Sequence, residues 1–394
     1  MKLQSKLIIF LFVTSFGSAL SSIATFISIE SYFNSLIFLG VALSIRTFAS
    51  ALFSYYSNHI IQRLGLSNSL FASQIFGCMA LFVLLFGFYY NNFGITILGI
   101  VLTGLPSSLV SILLTIILRI SAKNQELFRK YSARRELFFG IAMLLASIFS
   151  PLLLMKFNLN TVLSLDIVSY IAGIFILTKI NIVQLFLEND DEKIIKLEKI
   201  AFSSAITRSF MIKTSASLIL AGLLPLLASS GKIEFTMDMP LLFRQWLWAI
   251  EDVTAIFASL IYLIFVILWH QKWFDAILML SGIWLAIPTI FTNTYTVIIA
   301  LISICILTDY SGQKFRDDLI VSAKNDSNLI KAYSALAQFQ RNFIYFISPI
   351  FLSILFTYTN CLISLFFIIS IQIIFYITYK FKNKKIVKMK ILLK

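Results

Sequence analysis

Apolar stretches of about twenty residues recur along the chain, separated by short polar breaks. They fall at 7–29, 35–56, 67–90, 93–118, 133–155, 161–180, 209–230, 243–268, 273–292, 294–312, 333–357 and 360–379. Each is near the ~20 residues that a helix needs to cross a hydrocarbon core, so the pattern predicts an all-α membrane protein with twelve transmembrane helices. The run Leu7–Ile29 is too long for the apolar core of a signal peptide, and no small-residue cleavage site follows it, so it reads as a retained first span. The one long polar interruption runs from Asn181 to Thr207. Within it, apolar positions 194, 195, 197 and 200 suggest an amphipathic helix lying on the membrane surface. The chain therefore divides into a six-helix bundle over 1–180, a linker over 181–207, and a second bundle with a basic tail over 208–394.

The two bundles carry a common signature. Ser-Ala-Lys-Asn begins at Ser121 and again at Ser322, and each copy ends in Tyr-Ser-Ala, at 131–133 and 333–335. Ser150-Pro151 is matched by Ser348-Pro349. A repeat at about half the chain length points to a duplicated bundle with parallel repeats, as in transporters.

Composition supports the membrane reading. Hydrophobic residues make up 59% of the chain and charged residues 13%, against roughly 25% charged in soluble domains. The net charge of +14 would suggest nucleic-acid binding in a soluble protein, but here it is spent on topology. Of the 32 Lys and Arg, 27 fall on the N-terminal side of the expected spans, and only Lys156 and Lys232 fall on the other. Arg46, Arg244 and Arg341 lie inside spans. The positive-inside rule then puts both termini in the cytoplasm of a bacterial inner membrane. Seven lysines in the tail Lys380–Lys394 suit an anionic leaflet. Cys78, Cys305 and Cys361 all fall in spans and fit neither a disulfide framework nor a zinc site. No metal or other cofactor is expected.

Polar side chains inside the spans are the candidate machinery, because they are expensive in lipid. Span one carries Thr14, Ser18, Ser21, Thr25 and Ser28 at steps of four and three, and span four carries Ser107, Ser111 and Thr115 around Pro106. Such stripes serve either close helix packing or the wall of a polar cavity. Span eight holds Arg244, Trp248, Glu251 and Asp252. Span eleven holds Ser334, Gln338, Arg341, Tyr345 and Ser348 along one face. Trp246 and Trp248 fall near the outer end of span eight, where an aromatic belt is the simpler reading.

Asn58–Gly65 between spans two and three resembles the loop G-x-L-A-D-R-x-G of the major facilitator superfamily. Arg63 and Gly65 match it, while Asn58 and Gln62 replace its first Gly and its Asp. Ala146, Ser150 and Pro151 occupy the small-small-Pro positions of an exporter pattern, without most of its glycines. Asp166–Tyr170 is similar to a stretch found in siderophore and drug exporters of the superfamily. The resemblance implies two halves rocking around a midplane site, with spans 1, 4, 7 and 10 lining it, spans 2 and 11 adjacent, and spans 5 and 8 adjacent. Arg63 and Gly65 would then form a gating loop.

On this reading the chain moves a small-molecule cargo by alternating access. Arg46 and Arg341, with Gln338, Tyr345, Ser18, Ser21 and Ser111, would bind an organic anion or siderophore-like polycarboxylate, since guanidinium forks suit carboxylates. Glu251 or Asp252 would carry protons. The structural alternative pairs these charges into ion pairs that lock the halves. A proton-coupled drug efflux pump is the competing transport reading. An intramembrane enzyme or receptor is less expected, since H-E-x-x-H, G-x-S-x-G and a phosphate loop are all missing from the sequence.

Overall fold

The computed structural model describes residues 3–33, 35–122, 124–180, 226, 242, 245–265, 294–322, 327–359, 366–374 and 377. The expected spans 209–230 and 273–292 lie almost wholly outside these residues. So do the linker helix, Lys232, Arg244 and the basic tail, as does the side chain of Glu251. What is described is helical throughout: α1 (Leu3–Phe33), α2 (Leu36–Tyr89), α3 (Phe93–Ser121), α4 (Gln125–Lys156), α5 (Leu159–Thr178), α6 (Leu247–Phe265), α7 (Thr294–Ser322) and α8 (Ser327–Tyr358). A further helical stretch covers 366–374. Six of the helices are long and apolar enough to cross a membrane. Lipid leaves the backbone no outside partner, so closed i to i−4 bonding is the structure these runs can adopt.

The junctions are short and capped. Asn92, Asn124 and Asn158 each accept a bond from the backbone N–H three residues on, at 3.1, 2.8 and 2.9 Å, and Ser35 does so at 3.4 Å. Each cap satisfies a donor that the first helical turn would leave bare. Asn124 belongs to the first Ser-Ala-Lys-Asn copy, so the motif marks the α3–α4 junction, and its second copy marks the α7–α8 junction. Pro151 and Pro349 sit inside α4 and α8, the helices that follow the two copies.

Spans two and three are two helical limbs of α2 that meet at Gly65, whose φ of 74° and ψ of 166° leave the helical region. That backbone is open to glycine and unfavourable for a side chain. The connection between spans two and three is tighter than a loop: Asn58–Leu64 are helical, Arg63 is exposed, and the chain reverses at Gly65. Leu66 and Leu70 re-enter the apolar core directly after the turn.

Two apolar cores close the bundle at its ends. One, near the N terminus, joins Phe10, Leu70, Ile116 and Phe128 to Ile320, Ile330 and Leu336. The other, at the opposite end, joins Ala24, Ile29, Leu39 and Leu163 to Leu247, Ile304 and Leu352. Both cores draw on both halves. Along the sides, α2 packs on α8 and α4 packs on α6, the neighbours that the resemblance implied. Across the first seam, Ile350 N–H donates to Ser44 Oγ at 3.0 Å, and Phe48 meets Phe346 at 4.9 Å between ring centroids.

Candidate functional site

Between the two cores lies a cavity of about 370 Å³, a size that suits a small organic molecule. Helices from both halves wall it. Leu11, Thr14, Ser15, Ser18 and Ser22 of α1 face it, as do Ser107 and Ser111 of α3 and Gln338, Arg341, Asn342 and Tyr345 of α8. The hydroxyl stripes of spans one and four thus split between the two roles considered for them. Thr14, Ser18, Ser107 and Ser111 face the cavity, whereas Thr25, Ser28 and Thr115 are packed into helix contacts.

Ser21, expected to touch cargo, does not line the cavity. Its hydroxyl points toward α5 and donates to Asp166 Oδ2 at 2.5 Å, and Ser169 donates to Oδ1 at 2.8 Å. Asp166 is 1% exposed. Beside it, Ser18 Oγ donates to Tyr170 Oη at 3.1 Å. The sequence reading treated Asp166 only as part of an exporter-like stretch and missed its burial. An acid at the centre of an apolar run was the available signal.

Arg46 enters from α2 with its guanidinium carbon 5.8 Å from the Phe26 ring centroid, and Arg341 enters from α8 at 5.9 Å from that of Tyr345. Both contacts are within cation–π range. Among the described residues neither arginine has a carboxylate within 4 Å. Arg46 lies in the field of Asp166, and Arg341 in those of Glu136 and Asp309. A side-chain chain links the halves beside them. Ser111 donates to Gln338 Oε1 at 3.3 Å, Gln338 Nε2 donates to Asn342 Oδ1 at 3.4 Å, and Asn342 Nδ2 donates to Ser54 Oγ at 3.3 Å.

Asp252 reaches the cavity from α6, with Ser147 of α4 donating to its carboxylate. It is 8% exposed. Trp248, one turn earlier, is no belt residue. It lines the cavity and stacks on Phe26 of the other half, with centroids 6.2 Å apart and planes 11° from parallel.

Among the described residues, the ion pair that joins the halves is neither Arg46 nor Arg341 with Asp252, and any pairing to the Glu251 side chain lies outside those residues. It lies toward the N-terminal end, where Arg316 of α7 donates to Glu136 of α4 at 2.7 Å and to Ser132 at 2.8 Å. Arg135 also pairs with Glu136 and bonds to Thr115. Ser132 donates to Asp317 Oδ1 at 2.9 Å, and Tyr262 of α6 donates to Oδ2 at 3.0 Å. Arg135 and Arg316 were counted as topology charges in loops. Both sit within helices, because α4 begins at Gln125 and α7 runs on to Ser322.

No family model matches the chain, and no curated protein matches it either. Among solved structures, its fold is similar to that of the nucleoside transporter NupG, with a TM-score of 0.68 over 96% of this chain and 98% of that one, at 13% identity. The likeness shows a shared fold. The siderophore and drug exporter branches draw no support from it.

Proposed function

We propose that this protein is a secondary transporter that carries a small organic anion across a membrane by rocking its two halves about the central cavity. One observation carries the reading: Arg46 and Arg341, from different halves, line the same cavity, and neither has a carboxylate within 4 Å among the described residues. Each guanidinium presents a planar fork of donors to the cavity, and a carboxylate of the cargo is the acceptor that fits that fork. A polycarboxylate such as a citrate-type siderophore is the leading cargo class. The polar walls, with Ser18, Ser111, Gln338 and Tyr345, bind its remaining oxygens and disfavour an apolar drug. Asp252, or Glu251 beside it, takes up the coupling proton, and an inner-membrane location with cytoplasmic termini follows from the distribution of basic residues.

A neutral polyhydroxyl cargo, such as the nucleoside named for the structural neighbour, is the second reading. The amide pair Gln338 and Asn342 favours it. Purified protein in proteoliposomes separates the two. Radiolabelled citrate and uridine are offered with and without an imposed pH gradient. The proposal expects citrate accumulation that collapses when the gradient is dissipated and that is lost in Arg46→Gln and Arg341→Gln. Uridine accumulation without citrate accumulation would replace it with the second reading.

A further inference from the structure

Behind Arg341 the cavity continues into a side chamber of about 110 Å³, enclosed by α4, α6, α7 and α8. Arg341, Tyr345, Gln338 and Asp309 line both spaces, so the chamber is a branch of the main cavity. Gln313 of α7 lines only the chamber. It is 7% exposed. Its Oε1 accepts from Ser259 of α6 at 3.4 Å, while its Nε2 has no hydrogen-bond partner among the described residues. A buried amide N–H left unmade is destabilising, so a fold seldom keeps one without a use for it. Arg316 lines the chamber as well. Of the two acids that share it, Glu136 is paired with Arg135 and Arg316.

We propose that this chamber is a second cargo subsite, in which the Gln313 amide N–H donates to a carboxylate branch of the transported anion. Resting on the transporter reading above, it narrows the cargo to anions with at least two carboxylates set apart on a branched carbon frame. One carboxylate lies between Arg46 and Arg341, and the other passes Arg341 to reach Gln313. Gln313 acts as a specificity-determining residue, since a donor unpaired in the empty site rejects cargo lacking the matching acceptor.

The test compares citrate with lactate, a single-carboxylate probe, for binding to the full-length protein by quenching of tryptophan fluorescence. Gln313→Leu is expected to weaken citrate binding about tenfold, the loss of one hydrogen bond to a charged group, and to leave lactate unchanged. The melting temperature of the cargo-free variant should hold or rise, because an unmade donor has been removed. Ala337→Leu, which fills the chamber from α8, should shift the citrate-to-lactate ratio in the same direction. Equal weakening of both probes, or a fall in melting temperature with an unchanged ratio, makes Gln313 a packing residue and overturns the subsite. If wild-type protein binds neither probe, the anion reading falls and the subsite falls with it.

Discussion

Replacing Arg316 and Glu136 by glutamine, singly and together, measures the connection between the halves. Their contact is 2.7 Å, with side chains 14% and 17% exposed. Breaking a fully buried pair costs about 3–5 kcal/mol, whereas an exposed pair is worth about 0–1 kcal/mol. This pair lies between those limits. Its two members also keep other partners, since Glu136 retains Arg135, and Arg316 retains Asp317 at 3.3 Å. We therefore expect an interaction energy of about 2 kcal/mol from the double-mutant cycle. Each single variant should lower unfolding free energy in mixed-micelle denaturant titration, and the double variant should lose less than the sum of the two. An interaction energy below about 0.5 kcal/mol would mean that the contact is an incidental neighbour pair, and the account of how the halves are joined would be wrong.

Three further outcomes are expected. Arg46→Lys and Arg341→Lys keep the charge but lose the planar fork, so citrate binding should weaken roughly tenfold at each position with no loss of melting temperature. Gly65→Leu forces a side chain into a left-handed φ and should cost about 1–2 kcal/mol, whereas Arg63→Gln on the exposed turn should change stability by less than about 0.5 kcal/mol; denaturant titration distinguishes them. Ser21→Ala removes a donor from the buried Asp166 carboxylate and should destabilise the protein by about 1–3 kcal/mol while citrate affinity is retained, a combination that would not arise if Ser21 touched cargo.

Helix positions and the half-chain repeat were legible because apolar length and local signatures are one-dimensional properties. The cavity-facing role of Arg341, Gln338 and Tyr345 was visible for the same reason: period-3.6 spacing puts them on one face, and that face proved to be the inner one. On α1 the stripe was read slightly rotated. Ser21 and Ser22 are adjacent in sequence, yet Ser22 faces the cavity and Ser21 meets Asp166. Hydroxyl spacing alone cannot tell a wet face from a face that meets a buried acid. The charge cluster was missed for a different reason. Glu136 and Arg316 are 180 residues apart, and nothing in either neighbourhood encodes the partner. Arg135 and Arg316 resembled ordinary basic residues at span ends, since only the third dimension shows that α4 and α7 extend past the apolar runs. Gln313 belongs with them, because its partner Ser259 comes from α6.

The single-residue reversal at Gly65 has a mechanical effect. A connection of several residues would let two helices slide or tilt independently, but one pair of dihedral angles supplies almost no slack. At that end the two limbs of α2 therefore cannot slide apart. The first limb carries Arg46, and the second carries Gln74, which packs against Gly173 on the helix that holds Asp166. The turn thus ties the helix that carries the cation at the cavity to the limb that packs on the helix of the acid behind it. On the proposed rocking cycle, the electrostatic environment of cargo on that side would vary little, and the changes that load and release it would come from the α6–α8 side.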